Sequence, residues 1–145
     1  MRLQSLQDHT SIMTRKTFIL NLCRVFGEEP EDVFSSGLEN GWLEYEDELY
    51  SEDLIVRKNV ARIIHMYLMK EKGIKDLPSI HEAESLHDLY DCRVCANHIA
   101  QIWLRGIMDA KDLAMGGGFL VFDPDGIDDD DTVMDQLKRA AGMVN

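Results

Sequence analysis

An all-helical bundle of repeated units is the fold class this sequence predicts, and three observations predict it. Apolar residues recur at helical spacing in separate stretches: Phe18, Ile19, Leu22, Val25 and Phe26, then Val60, Ile63, Ile64, Tyr67 and Leu68, then Ile99, Ile102 and Trp103. Helix starts recur: Thr14-Arg15, Val56-Arg57 and Asp129-Asp130 align without gaps, which brings Phe18, Val60 and Val133 into register, and likewise Leu22, Ile64 and Leu137. An extended run precedes each start at constant distance, with Leu49 and Ser51 standing where Phe122 and Pro124 stand, and Gln7 and His9 holding those places in the first copy. Internal repetition of this kind marks units that bury their apolar faces against one another.

The elements follow in order. Thr14 is a natural N-cap for a first helix over 15–26, because its hydroxyl can accept from an orphan amide, and Gly27 is placed to end it. Pro30 suits the first turn of a short helix over 30–39, with Glu31 and Asp32 at its positive end and Asn40-Gly41 as its stop. The next helix spans 57–72 and ends at Gly73. Ser79 and Glu82 fit a capping box for a short helix over 80–86. A longer helix covers 92–105, carries Cys95 on its apolar side and closes at Gly106. Gly116 to Gly118 make a flexible loop before a short extended piece at 119–122. The acidic run from Asp128 to Asp131 then sits at the start of a helix over 131–141, where the macrodipole favours negative charge.

A chain of 145 residues is expected to form a single domain over 1–145, with units of about 1–29, 30–78 and 79–145. Its net charge of −12 excludes nucleic acid as a natural partner, since backbone affinity comes from Lys and Arg neutralising phosphates. The same repulsion disfavours anionic membranes, and no apolar run approaches the ~20 residues of a span, so no membrane insertion is expected. The first residues contain no apolar signal region, which points to the cytoplasm. With the cysteines Cys23, Cys92 and Cys95 odd in number, reduced thiols are expected.

The repeated pattern resembles the S-layer homology (SLH) family, whose unit reads roughly Phe-x-Pro-x4-Thr-Arg-Ala-Glu before an apolar helix and whose earlier helix exits through Gly-Ile-(Ile/Met)-x-Gly. Asn97 to Ala110, with Gly106-Ile107-Met108, looks like that earlier helix and its exit, Leu86-His-Asp88-Leu looks like the opening of a unit, and Gly41-Trp42-Leu43 looks like a second exit. The resemblance covers 13–141 as about two and a half units. It implies an all-α, pseudo-threefold helical bundle that binds a pyruvylated secondary cell-wall polysaccharide at the surface of Gram-positive bacteria. It also implies ligand roles for Thr14, Arg15 and Arg57, because a helix start plus an Arg fork is suited to a carboxylate. Val56 stands in place of the motif's Thr, and Asp130 in place of its Arg.

Other constellations point away from chemistry. Cys92-x2-Cys95-x2-His98 has zinc-like spacing, with His81 or His87 as a further ligand, but its outer members diverge around a helix, and no metal is expected. A thioredoxin-like role is disfavoured because no βαβ pattern surrounds the pair. The acidic run from Asp123 to Asp128 misses the calcium-loop register. His65 reads as a packed or surface residue. Gly116 to Gly118 lack the Lys-Ser/Thr of a phosphate loop. No nucleophile–base pair emerges, so the expectation is a non-catalytic binding module with no cofactor. Its partner is the anionic polymer or, alternatively, an intracellular protein met through Trp42, Tyr45 and Tyr50, since aromatic residues are enriched at interface cores.

Overall fold

The computed structural model describes residues 11–144, and the Gln7 and His9 positions lie outside them. The fold is mainly α. Helices α1 (Arg15–Val25), α2 (Val33–Asn40), α3 (Tyr45–Leu49), α4 (Arg57–Lys70), α5 (Ala96–Leu104) and α6 (Asp130–Gly142) are joined by loops and 3-10 turns. A small antiparallel pair, β1 (Lys111–Asp112) with β2 (Leu120–Val121), sits before α6. Packing is most extensive between α4 and α5 and between α1 and α6.

The aligned residues are core residues. Phe18, Leu22, Ile64 and Leu137 are fully buried, with Val60 and Val133 almost so, and all belong to one apolar cluster that draws on α1, α2, α4, α5 and α6. The exits match as well. Gly41 and Gly106 both take left-handed backbone (φ 86° and 75°), which favours glycine. Trp42 N–H then donates to Gly37 O at 3.0 Å and Ile107 N–H to Ile102 O at 3.1 Å, each reaching five residues back. The side chains that follow, Trp42, Leu43, Ile107 and Met108, turn into the core.

The helix starts are tied to one another. Arg15 N–H donates to Asp53 O (2.8 Å), Arg57 N–H to Gly126 O (2.8 Å) and Asp130 N–H to Ser11 O (2.9 Å). Each acceptor stands four residues ahead of the next helix start, and the third returns to the first, so the three bonds close a ring. Lys16 N–H to Ser51 O (2.9 Å) and Lys58 N–H to Pro124 O (2.8 Å) repeat the pattern one residue on. These first-turn amides have no acceptor inside their own helix.

Several boundaries differ from expectation. α2 starts at Val33, because the Asp32 carboxylate accepts from Ser35 N–H (3.2 Å) and leaves Pro30 outside. The helix expected over 92–105 opens as a 3-10 turn, Arg93–Cys95, and becomes α only at Ala96. The stretch over 80–86 is a 3-10 helix, His81–Ser85. α3 was not expected, its five residues being too short to show a period. The glycine loop is organised around one carboxylate. The Asp112 carboxylate accepts from the amides of Ala114, Gly116, Gly118 and Phe119. Those bonds, Gly118 foremost, hold its pKa below the usual carboxylate value.

Leu22→Ala or Ile64→Ala is expected to lower stability by about 2–5 kcal/mol, the cost of a buried large-to-small change. Chemical denaturation measures it, and a change near zero would remove either side chain from the core.

Candidate functional site

The three helix starts place the expected ligand residues. Thr14 caps α1, its Oγ1 accepting from Thr17 N–H at 3.2 Å. Arg15, in the first turn, points inward. Its Nη1 donates to Asp47 Oδ1 at 2.9 Å, and its Nε is buried with no partner among the described residues. Asp47 is fully buried. Arg62 of α4 clamps it from the other side, Nη2 to Oδ1 at 2.6 Å and Nη1 to Oδ2 at 3.0 Å, while Glu44 N–H donates to Oδ2 at 2.7 Å. One carboxylate thus joins α1, α3 and α4.

Arg57 is consumed in the same way. Nε donates to Phe122 O (2.8 Å), Nη1 to Asp128 Oδ2 (2.6 Å) and Nη2 to Asp109 O (2.6 Å), and the guanidinium lies 4.6 Å from the centre of the Phe122 ring. Gln136 completes Asp128 at 2.9 Å. Arg15 and Arg57, the ligand residues the resemblance implies, are therefore both engaged inside the chain. Both are buried, and the carboxylates they hold, Asp47 and Asp128, belong to the chain itself. The acidic run is divided by task as well. Asp128 pairs with Arg57, and Asp129 is the N-cap, accepting from Thr132 N–H at 2.9 Å.

The aromatic group splits. Trp42 is 3% exposed and packs edge-on against Tyr67 with ring centres 4.8 Å apart, so it is a core residue and not a partner-facing one. The reason is its place after the Gly41 exit, equivalent to Ile107. Tyr45 (72% exposed) and Tyr50 (49%) do face solvent, together with Leu49 and Leu54. Tyr45 and Leu49 are spaced i, i+4 on α3 and share a face.

A cleft of about 250 Å³ lies between the α3–α4 region and the start of α5, lined by Glu44, Lys58, Arg62, Cys92, Cys95 and His98 among others. Cys92 and Cys95 are joined by a disulfide, which corrects the expectation of reduced thiols for this pair. Cys23 is the free, buried cysteine; burial foremost, with the charges of Glu28 and Glu71, pushes its thiol up to about 11. Among the described residues no group of three or more His, Cys, Asp or Glu could hold a metal ion.

Behind the cleft, Asp76 Oδ1 meets His65 Nε2 at 2.6 Å and His65 Nδ1 meets His98 Nδ1 at 2.7 Å; Asn97 Nδ2 donates to Asp76 Oδ2 at 3.1 Å. One proton lies between the two Nδ1 atoms, and which ring donates it depends on the tautomer. Burial foremost, then the charges of His65 and Arg62, lowers the His98 pKa to about 4. Burial works the other way on Asp76, but its hydrogen bonds with His65 and Asn97 hold it below the usual carboxylate range. The clamp partners Asp47 and Arg62 and the Asp76–His65–His98 chain were not found from sequence. Asp47 lies in a run of acidic residues, and Arg62 on a helix whose dominant local pattern is its apolar period.

Comparison with known protein families, characterised proteins and solved structures finds no match to this chain.

Asp47→Ala leaves Arg15 and Arg62 buried without their counter-charge. It is expected to destabilise the fold by about 3–5 kcal/mol, as breaking a buried pair does, and urea titration at neutral pH checks this. For His98, the folded-state pKa of about 4 lies below the reference 6.5. The unfolded chain therefore binds the proton more readily, and the contribution present above pH 6.5 is lost as pH falls toward 4. His98→Asn should flatten the pH dependence of stability in that window relative to wild type, and parallel curves for the two proteins would remove His98 as its source.

Proposed function

We propose that this chain is a non-catalytic helical binding module whose partner is another protein, met through the exposed face of α3. The observation that carries the reading is the row of Tyr45, Leu49, Tyr50 and Leu54, all exposed, within a run of sequence that also exposes Glu46, Glu48, Glu52 and Asp53. An apolar strip rimmed by one sign of charge suits a partner segment with apolar anchors and basic flanks. The internal use of Arg15 and Arg57 supports the same reading, because each is buried and already holds a carboxylate of the chain itself, Asp47 and Asp128.

The arrangement we propose for the helices is the SLH-like pseudo-threefold one. Its support is the closed ring of amide–carbonyl bonds from Arg15 to Asp53, Arg57 to Gly126 and Asp130 to Ser11, with equivalent spacing at every step. That ring also keeps a second reading in play, attachment to a pyruvylated cell-wall polysaccharide, with Thr14, Arg15 and Arg57 as its residues. Burial of the two arginines ranks it below the first.

Two experiments separate the readings. In sedimentation with purified cell wall carrying its pyruvylated polymer, the protein should stay in the supernatant at all salt concentrations; co-sedimentation would reinstate the polysaccharide. In affinity capture followed by mass spectrometry, Tyr45→Ala/Leu49→Ala should lose a stoichiometric protein partner that wild type and the surface control Leu113→Ala both retain. Equal recovery by all three would remove the α3 face from the interaction.

A further inference from the structure

The disulfide plays no part in the binding reading above, and its surroundings are those of a working cysteine pair. We propose that Cys92–Cys95 is a thiol–disulfide exchange site, which accepts two electrons from cysteine thiols entering the cleft and is attacked at the sulfur of Cys92.

Position on the helix comes first. The 3-10 turn Arg93–Cys95 runs directly into α5, and Cys95 already has helical backbone (φ −89°, ψ −20°). Cys92, extended at φ −120° and ψ 103°, is therefore the N-cap of one continuous helical stretch, and Cys95 N–H donates to its carbonyl at 3.1 Å. Once the bond is reduced, a Cys92 thiolate stands at the positive end of that stretch, where unpaired amides stabilise it.

Access comes second. Both cysteines are partly exposed, and both line the cleft of about 250 Å³. Third, the bond has little structural work to do. It links residues only three apart, so it restricts the unfolded chain weakly. α5 is held independently by Ala96, Ile99, Ala100 and Ile102, all buried in the core.

The charged walls are close to balanced. Glu44 and Glu46 face Lys58 and Arg62, and both cations are already paired, Lys58 with Asp125 and Arg62 with Asp47. The helix start is therefore the main stabiliser of a thiolate here. His98, three residues after Cys95 and also on the cleft, is kept neutral by burial, with Nδ1 engaged by His65. With its pKa lowered to about 4 the ring is too weak a base for a thiol, so the entering thiol gives its proton to solvent.

The step balances. An entering thiol loses its proton to solvent and its sulfur attacks Sγ of Cys92. The Cys92–Cys95 bond breaks as the mixed disulfide forms, and Cys95 leaves as a thiolate that takes up a proton from solvent. A second substrate thiol then attacks the substrate sulfur of the mixed disulfide. Substrate disulfide forms, and Cys92 is released as thiolate or, after protonation, thiol. The pair gains two electrons and the substrate loses them.

The test uses the full chain in dithiothreitol redox buffers, read by alkylation and mass spectrometry with circular dichroism alongside. The expected result is one reversible two-electron couple at Cys92 and Cys95, with the reduced protein still folded. Single variants then assign the attacked sulfur. Cys95→Ser should form a mixed disulfide with oxidised glutathione about tenfold faster than Cys92→Ser, as a helix-start thiol should, with buried Cys23 silent in both. Reduced glutathione and a lysine-flanked cysteine peptide, compared as reductants of wild type, distinguish a small thiol from a protein thiol as the substrate. A pair that neither reduces, that yields only on unfolding, or whose two variants react equally would overturn the proposal.

Discussion

The first-turn amides of a helix have no acceptor within it, and much of this architecture follows from where those amides go. At α1, α4 and α6 they go to carbonyls of the run that precedes another of these three helices, in a closed order. Each bond is worth about 1 kcal/mol net, so its weight lies in geometry more than energy. It sets how far one helix start stands from the next run, and hence which apolar faces meet. Phe18, Val60 and Val133 reach the same core because their helices are started by the same device.

The arginines extend the same logic to side chains. An Arg in the first turn sits at the unfavourable, positive end of a helix, so its burial needs a strong local counter-charge. Arg15 finds Asp47, and Arg57 finds Asp128 together with two backbone carbonyls. Arg62 doubles the charge on Asp47, and with Arg15 it holds α3 against α1 and α4. That anchoring explains how a five-residue helix with Tyr45 and Leu49 turned to solvent can keep a fixed surface. The proposed partner face is thus a consequence of the clamp beneath it.

Much of this was legible in the sequence. Helices carrying the apolar period were visible because burial repeats every three to four residues, and the alignment of their starts needed only counting. The exposed pair Tyr45 and Tyr50 was legible too. Trp42 was not read correctly, although the likeness of Gly41-Trp42-Leu43 to Gly106-Ile107-Met108 already implied that it turns inward. The site chemistry was hidden for a different reason. Whether an Arg faces solvent or a buried carboxylate depends on partners such as Asp47 and Asp128, 32 and 71 residues away, which no local pattern encodes.

The cleft brings these strands together. Arg62 lies at once on its wall and in the Asp47 clamp, and Glu44 both lines the cleft and donates its amide to Asp47. His98 belongs to the wall and to the Asp76–His65 chain that ties α4 to the segment before α5. A change in charge on the cysteine sulfurs would therefore be felt by groups that also fix the base of α3. Because Arg62 is held by both oxygens of a fully buried carboxylate, it cannot swing toward a new thiolate without breaking the clamp. Any effect of cysteine redox state on the base of α3 would then pass through electrostatics at fixed geometry. A shift of that kind weakens with salt only where the groups are exposed, and Arg62 is not.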